Sequence, residues 1–135
     1  PIGVADIKRK GKDVTIVSFG KIIKEAYKAA DILEKDGIEC EIIDLRTLRP
    51  IDYKTVLDSV KKTNRLVILE EAWPFGNIST DISHKVQNEL FDYLDAPIEK
   101  VNNADTPTPY SPVLLEEWLP NSGEVIKAVK KVLYI

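Results

Sequence analysis

The sequence predicts an α/β domain whose sheet is mostly parallel and carries helices on both faces. Apolar, strand-like runs alternate four times along the chain with segments of helical periodicity, which is the order of a parallel sheet with crossover helices. Residues 14–19 (VTIVSF) and 66–69 (LVIL) show no polar alternation, so both faces of these strands should be buried. A length of 135 residues with 44% apolar residues is sufficient for one such domain with its own core.

The first half of the chain supplies two strands, each followed by a helix. The strand over residues 14–19 is followed by a predicted helix over 21–36, which Gly37 ends. A second strand is predicted over 38–45. In it Ile38, Cys40 and Ile42 alternate with two glutamates, Glu39 and Glu41, so one face of the strand should meet water at its start.

Capping signals locate most of the remaining helices. Asp52 can cap a helix whose core face contains Tyr53, Val56, Leu57 and Val60. Apolar residues at spacing four predict a helix over 77–91, and a short strand is predicted over 98–101. One turn of helix fits a proline-rich stretch at 111–118, and Asn121 with Glu124 forms a capping box for the last helix.

Residues 1–13 are interpreted as a linker that leads into the domain, which occupies residues 14–135. Within the linker, residues 4–8 could add an edge strand to the sheet. The chain begins with Pro1 and contains no methionine, so we expect a piece of a longer protein.

Composition excludes several classes of function. The net charge of −3 provides no basic field for nucleic acid, and no apolar run is long enough to span a membrane. A single cysteine, Cys40, cannot form an internal disulfide or a cysteine cluster for a metal, and its spacing indicates a core residue. The only histidine, His84, is predicted on the solvent side of its helix.

Charged residues follow the predicted strands, where sites of parallel sheets collect. Arg46 and Arg49 follow the strand at 38–45. We expect them to form ion pairs with Asp44 or with the two glutamates after the next strand, and in this way to stabilise the loops or a contact with another domain. Those glutamates, Glu70 and Glu71, should point to opposite faces and so should not act as an acid–base pair.

Two further features of these loops leave the function open. Trp73 begins an apolar cluster, WPF, that either tucks under the domain or meets a partner. No glycine-rich phosphate loop follows the first strand, so nucleotide binding rests on fold class alone. A small-molecule binding module that uses the strand ends is therefore an alternative to an assembly domain.

Several segments in order, among them "IECEIIDLRTLRPID", "VKKTNRLVILEEAWPFG", "FDYLDAPIEKV" and "ADTPTPY", resemble one family. This is the transketolase C-terminal-like domain of the beta subunit of the decarboxylating component of pyruvate dehydrogenase. The resemblance implies a three-layer α/β/α fold with a five-stranded mixed sheet, mostly parallel, in which residues 4–8 form one antiparallel edge strand. The same domain of a branched-chain 2-oxoacid dehydrogenase, a transketolase or a deoxyxylulose phosphate synthase is the alternative.

The resemblance implies that the full enzyme decarboxylates pyruvate with thiamine diphosphate and Mg²⁺ and then acetylates a lipoyl group. The cofactor would lie between the alpha subunit and an N-terminal domain of the beta subunit, so this domain should bind neither cofactor nor metal and should be inactive alone. Its implied partners are the alpha subunit and a second beta subunit, and a homodimer of the isolated domain is allowed. The implied compartment is the mitochondrial matrix, or the cytoplasm if the source is bacterial.

The resemblance also implies a docking site for the subunit-binding domain of the dihydrolipoyl acetyltransferase. The residues that correspond are Asp95 in the "LDAP" motif and Ile135 with its terminal carboxylate. Both carry negative charge, and the subunit-binding domain offers lysine and arginine, so complementary charge would orient the two proteins. Without the resemblance, Asp95 would be a turn residue and Ile135 a frayed end.

Overall fold

The centre of the structure is a five-stranded mixed sheet, described for residues 1–135 by a computed structural model. The strand order is β1-β3-β2-β4-β5, and β1 alone runs antiparallel to its neighbour. This confirms the predicted fold class and the antiparallel edge strand, which is shifted by a residue or two from the predicted 4–8. The strands are β1 (Asp6–Arg9), β2 (Val14–Ser18), β3 (Cys40–Asp44), β4 (Leu66–Leu69) and β5 (Glu99–Val101).

Helices cover both faces of the sheet and give the predicted three layers. Helices α1 and α5 pack against each other on one face, and α2 and α3 pack on the other. The buried side chains accordingly form two apolar clusters, one on each side of the sheet. The helices are α1 (Ile23–Lys35), α2 (Tyr53–Thr63), α3 (Ile78–Leu90), α4 (Pro112–Trp118) and α5 (Ser122–Leu133), with a short 3₁₀ helix at Phe91–Tyr93.

Local signals in the sequence fix the helix ends where the structure has them. The Asp52 carboxylate accepts a hydrogen bond from the Thr55 backbone N–H at 3.1 Å and so caps α2. Asn121 and Glu124 form the predicted capping box at α5. Gly37 has a positive φ of 79° just after α1, a conformation that glycine adopts without steric penalty.

One expectation about β3 is wrong. Glu41 is not in water but is 1% exposed, because α2 covers the face of the sheet on which it lies. Its carboxylate accepts hydrogen bonds from Ser59 Oγ at 2.6 Å and from the Lys62 ammonium. Thr15 of β2 extends the network to Ser59 and Thr63, at 2.7 Å each. The expected contact with water therefore holds for Glu39, which is exposed, but not for Glu41, which lies in a buried polar network.

The carboxyl ends of the four parallel strands lie along one edge of the sheet. The chain leaves β2 toward the α1 face but leaves β3 and β4 toward the opposite face, where α2 and α3 lie. Adjacent strands whose connections diverge in this way open a crevice between their loops. None of the helices combines the length and the apolar composition that crossing a lipid bilayer requires.

Candidate functional site

Asp95 lies in the loop between the 3₁₀ helix and β5, and the backbone fixes its position. Its N–H donates to the Asn64 carbonyl at 2.9 Å, which ties the loop to the end of α2. Its side chain is 56% exposed, and the nearest cation, the Arg65 guanidinium, is 3.6 Å away. That distance is longer than a direct hydrogen bond, so the carboxylate oxygens remain available to other donors.

The C-terminus is held by the end of α5 rather than frayed. Tyr134 adopts a left-handed conformation with φ 59°, and the Ile135 N–H closes back onto the Lys130 carbonyl at 3.1 Å. This is the hydrogen-bond pattern that ends many helices. Ile135 is 73% exposed, so an ordered backbone presents its apolar side chain to solvent.

The structure places Tyr134, the residue before Ile135, against the Asp95 loop. The Tyr134 hydroxyl donates to the Asp95 carbonyl at 3.4 Å. A cavity of about 680 Å³ is lined by Asp95 together with Phe91, Pro97 and Tyr134. We call Phe91, Asp95, Pro97, Tyr134 and Ile135 the Asp95 surface; it combines exposed aromatic and aliphatic groups with the Asp95 carboxylate.

Sequence reasoning missed the residues that hold this surface together. Tyr134, the residue before Ile135, donates a hydrogen bond to the Asp95 carbonyl. This contact depends on the packing of α5 beside the Asp95 loop, which the sequence does not show. Arg65 was not predicted because its partner is 30 positions away in the chain. Phe91 lies at the end of α3 and is 68% exposed. A large apolar side chain in water often marks a contact surface, so Phe91 is the residue that could have indicated this surface.

The predicted ion pairs of Arg46 and Arg49 are absent. The Arg46 guanidinium instead donates twice to the Val4 carbonyl, from Nε at 3.1 Å and from Nη2 at 2.8 Å. Its backbone N–H donates to the Asp44 carboxylate at 3.0 Å. The sheet order explains the difference, because β3 lies beside β1 and two strands away from β4. Arg46 therefore braces the chain before β1.

Arg49 makes no ion pair or side-chain hydrogen bond within the chain and is exposed. It precedes Pro50 through a cis peptide bond. Nothing inside this chain therefore uses its guanidinium.

Glu70 and Glu71 lie in different environments, in keeping with the expectation that they do not act as an acid–base pair. Glu70 is fully buried and Glu71 is exposed, yet both line one cavity of about 540 Å³. Strand geometry does not separate them because β4 ends at Leu69, before either residue. Burial raises the pKa of Glu70, and a hydrogen bond from the Ser79 N–H at 2.7 Å opposes that shift.

Trp73 is half exposed and anchored at its polar atom. Its indole N–H donates to the Thr106 carbonyl at 2.9 Å, and the Trp118 indole donates to the same carbonyl at 3.0 Å. Phe75, two residues on, is 88% exposed. The WPF cluster therefore does not tuck under the domain.

The remaining candidate residues lie where the sequence predicted. Cys40 is buried, and burial raises the pKa of its thiol to about 12. His84 is exposed on α3. No group of histidine, cysteine, aspartate and glutamate side chains is arranged to hold a metal ion.

The comparisons with known proteins agree with this fold. Residues 3–125 match the family described as transketolase, C-terminal domain. A pyruvate dehydrogenase E1 component subunit beta from Rickettsia felis is 52% identical over 134 residues, which is 99% of this chain and 41% of that protein. The mitochondrial subunit beta from Dictyostelium discoideum is 47% identical over 132 residues, covering 98% of this chain and 37% of the relative.

A solved structure, described as a split gene transketolase in an inactive beta4 tetramer, superposes with a TM-score of 0.84 at 30% identity. The match covers 98% of this chain and 42% of that chain. This chain thus spans about two fifths of the length of the proteins it matches. Since the family match covers most of the residues and the architecture agrees, the chain belongs to the transketolase C-terminal domain family.

Proposed function

We propose that the chain is the C-terminal assembly domain of a pyruvate dehydrogenase beta subunit. In this proposal the full enzyme, with its alpha subunit, decarboxylates pyruvate through thiamine diphosphate and passes the acetyl group to a lipoyl group. The observation that carries the proposal is identity of about half the residues, over almost the whole chain, to subunits of that name. The 30% identity to the transketolase supports pyruvate over the transketolase alternative.

The proposed local task is to dock the subunit-binding domain of the acetyltransferase at the Asp95 surface. Asp95 offers a carboxylate whose oxygens accept no hydrogen bond within the chain, and Ile135 adds a second carboxylate. A cationic partner would find carboxylate oxygens that accept no hydrogen bond, beside exposed apolar groups, and would compete with the Arg65 guanidinium at 3.6 Å. Charged groups beside buried apolar side chains are typical of the residues that contribute most of the binding energy in protein interfaces.

The catalytic step of the full enzyme is proposed to lie outside this chain. Thiamine diphosphate supplies an ylid for decarboxylation, and this chain has no group of three or more histidine, cysteine, aspartate or glutamate side chains arranged to hold a metal ion. The chain's own residues then contribute binding and orientation only, and the isolated domain is expected to be inactive. Mitochondrial residence is proposed by analogy with the Dictyostelium relative, and a bacterial cytoplasm by analogy with the Rickettsia one.

We also propose that exposed side chains in the loops after β3 and β4 contact the alpha subunit and a second beta subunit. Arg49, Trp73 and Phe75 project from the loops after β3 and β4 without an internal function for their exposed parts. Sedimentation velocity tests whether two copies of this chain associate. Arg49→Ala and Phe75→Ser are expected to lower the self-association constant, and unchanged sedimentation of both variants would remove these residues from the interface.

Calorimetry tests the docking proposal most simply. The chain is titrated with the subunit-binding domain of the acetyltransferase from the same source at low salt. We expect the dissociation constant to rise about tenfold in Asp95→Ala and about tenfold when Ile135 is deleted. For every variant, the dissociation constant should also rise as the salt concentration increases.

Asp92→Ala is the matched control, because Asp92 is an exposed aspartate three positions away that lies outside the Asp95 surface. It should change the dissociation constant less than twofold. Binding that is absent, or that Asp95→Ala and Asp92→Ala affect alike, contradicts the proposed docking site.

A further inference from the structure

The segment that follows β5 presents an apolar face that no other part of the chain covers. Its helix, α4, buries none of its residues, although it contains one valine, two leucines and a tryptophan. Tyr110, just before the helix, is fully exposed, and Val113 and Leu114 are 68% and 54% exposed. Helices of globular domains normally bury their apolar side, so this face indicates a contact with another molecule.

A groove of about 300 Å³ lies within this face. Pro107, Pro109 and Leu114 supply its apolar walls, and Glu117 and Trp118 line it as well. We call these five residues the Trp118 groove. Its volume is at the lower limit for ligand pockets, so it suits a single long side chain.

Hydrogen bonds fix the Trp118 indole before any partner binds. Its N–H donates to the Thr106 carbonyl at 3.0 Å, and the Trp73 indole donates to the same carbonyl at 2.9 Å. The Ala104 N–H donates to the Trp118 carbonyl at 3.1 Å and holds the backbone of the groove together. An indole ring attracts cations to its face, arginine more often than lysine, and a ring that is already ordered loses little entropy on binding.

The charge around the groove is negative only. Residues 101–126 contain four acidic residues, Asp105, Glu116, Glu117 and Glu124, and neither lysine nor arginine. Glu117 is exposed, lines the groove and forms no ion pair or hydrogen bond within the chain, so a donor from solvent can reach its carboxylate. A cationic partner complements this face, whereas two copies of the face would repel each other.

We propose that the Trp118 groove receives an arginine side chain of a partner polypeptide. The guanidinium stacks on the Trp118 indole and pairs with the Glu117 carboxylate, while the aliphatic stem lies on the proline and leucine walls. Arginine fits better than lysine, because its planar group stacks on an aromatic ring and donates two parallel hydrogen bonds to a carboxylate.

The partner is a polypeptide because the apolar face is wider than the groove. Tyr110 and Val113 are exposed beside it, and a free small cation held in the groove would leave them in water. Apolar residues that flank the arginine of a polypeptide would cover them. This inference does not depend on the docking of the acetyltransferase, which involves the Asp95 surface.

Nuclear magnetic resonance titration of the 135-residue chain tests the proposal at about 0.15 M salt, where long-range attraction between charges is screened. The probe is the peptide acetyl-Ala-Leu-Arg-Leu-Ala-amide, and the comparison peptide carries citrulline, which keeps the shape of arginine and loses its charge. We expect the arginine peptide to shift the indole N–H signal of Trp118 in a saturable way and the citrulline peptide to bind about tenfold more weakly. Equal affinity for the two peptides, or no saturable shift with either, overturns the proposal.

Glu117→Gln removes the charge of an exposed side chain and keeps its size, so the fold should persist. It is expected to weaken binding of the arginine peptide about threefold and to leave binding of the citrulline peptide unchanged. Glu116→Gln is the matched control, because Glu116 is the neighbouring exposed glutamate and does not line the groove; this variant should bind as the parent does. Equal effects of the two substitutions on the arginine peptide overturn the assignment of Glu117.

Two further measurements test the apolar contact and the kind of partner. Leu114→Ser shortens an exposed apolar side chain and should weaken binding of both peptides about threefold. Unchanged binding in this variant overturns the apolar contact. Butylguanidinium, which offers only the cation and its stem, should bind about tenfold more weakly than the arginine peptide. If butylguanidinium binds as tightly as the peptide, the groove takes a free small cation and the proposed polypeptide partner is wrong.

Discussion

Replacing Glu41 with glutamine removes one negative charge from the buried network between β3 and α2. The Glu41 carboxylate is 1% exposed and accepts from Ser59 Oγ at 2.6 Å, from the Gly11 N–H at 3.3 Å and from the Lys62 ammonium. Glutamine is nearly isosteric and keeps one oxygen for Ser59, but its amide nitrogen cannot accept from Lys62.

The magnitude follows from which contacts are lost. A hydrogen bond to a charged group contributes about 1.5–3 kcal/mol to stability. The Lys62 side chain is 49% exposed and can return to water when its partner is neutral, so the upper end of that range is excluded. We expect Glu41→Gln to lower the free energy of unfolding by about 2 kcal/mol, which is a fall in Tm of about 6–10 °C for a domain of this length.

Urea and thermal unfolding measure the effect, with Glu39→Gln as the control. Glu39 is a neighbouring glutamate whose ion pair with Lys12, at 3.1 Å, is exposed on both sides, so its loss should change stability by less than about 0.5 kcal/mol. If the two variants lose the same stability, the buried network does not stabilise the fold as described.

The pH dependence gives a second check on Glu41. Burial alone would raise the pKa of Glu41, but hydrogen bonds from Lys62, Ser59 and Gly11 outweigh burial and hold the pKa below the ordinary 4.5. The stability that this group contributes is therefore fully present above pH 4.5 and is lost as pH falls through the lower folded-state pKa. The difference between the parent chain and Glu41→Gln should shrink at acid pH, and a constant difference would refute the shift.

Three further predictions concern other parts of the chain. Arg46→Ala should lower the free energy of unfolding by about 1 kcal/mol and make residues 1–5 more sensitive to protease, because the Val4 carbonyl loses both hydrogen-bond donors. Arg49→Ala should leave the free energy of unfolding unchanged. Cys40 should not react with a thiol reagent until the chain unfolds, since the thiol is buried and its pKa is raised to about 12; rapid modification of the folded chain would contradict its burial. Burial raises the folded-state pKa of Glu70, so the contribution of this carboxyl to folding stability is present below pH 4.5 and is lost as pH rises through the folded-state pKa. The parent chain should therefore lose stability relative to Glu70→Gln as pH rises above 4.5. Stability profiles of the two chains that run parallel with pH would contradict this prediction.

Most elements of the fold could be predicted because their signals are local. The Asp52 cap, the capping box of Asn121 and the apolar run of β4 each depend on residues within a few positions. The edge strand β1 was predicted at 4–8 and lies at Asp6–Arg9, because its polar composition gives no firm boundary and pairing with β3 determines it.

The errors arose where partners are distant in the chain. Glu41 alternates with apolar residues as a solvated side chain would, and only α2 packing over β3 shows that Ser59 and Lys62 meet it. Arg46 was expected to reach the glutamates after β4, but the sheet order turns it toward Val4. Strand order is set by tertiary packing, and no local pattern in this sequence encoded it.

The Asp95 surface shows the same division between local and distant information. A family resemblance supplied Asp95 and Ile135, whereas the contact between Tyr134 and the Asp95 carbonyl depends on how α5 returns to the sheet. The sequence predicted that Glu70 lies at the edge where the strands end, but it did not predict the cavity that opens there. Its lining comes from three loops, and its unpartnered Oε1 can be recognised only when every potential donor has a position.

Mapping amide signals of the chain during titration with the acetyltransferase subunit-binding domain tests the central proposal, docking at the Asp95 surface, most directly. We predict that saturable changes concentrate at Phe91, Asp95, Tyr134 and Ile135 and that they disappear when Asp95 is replaced by alanine. Changes confined to the loop that contains Trp73 and Phe75, or no saturable changes at all, would contradict it.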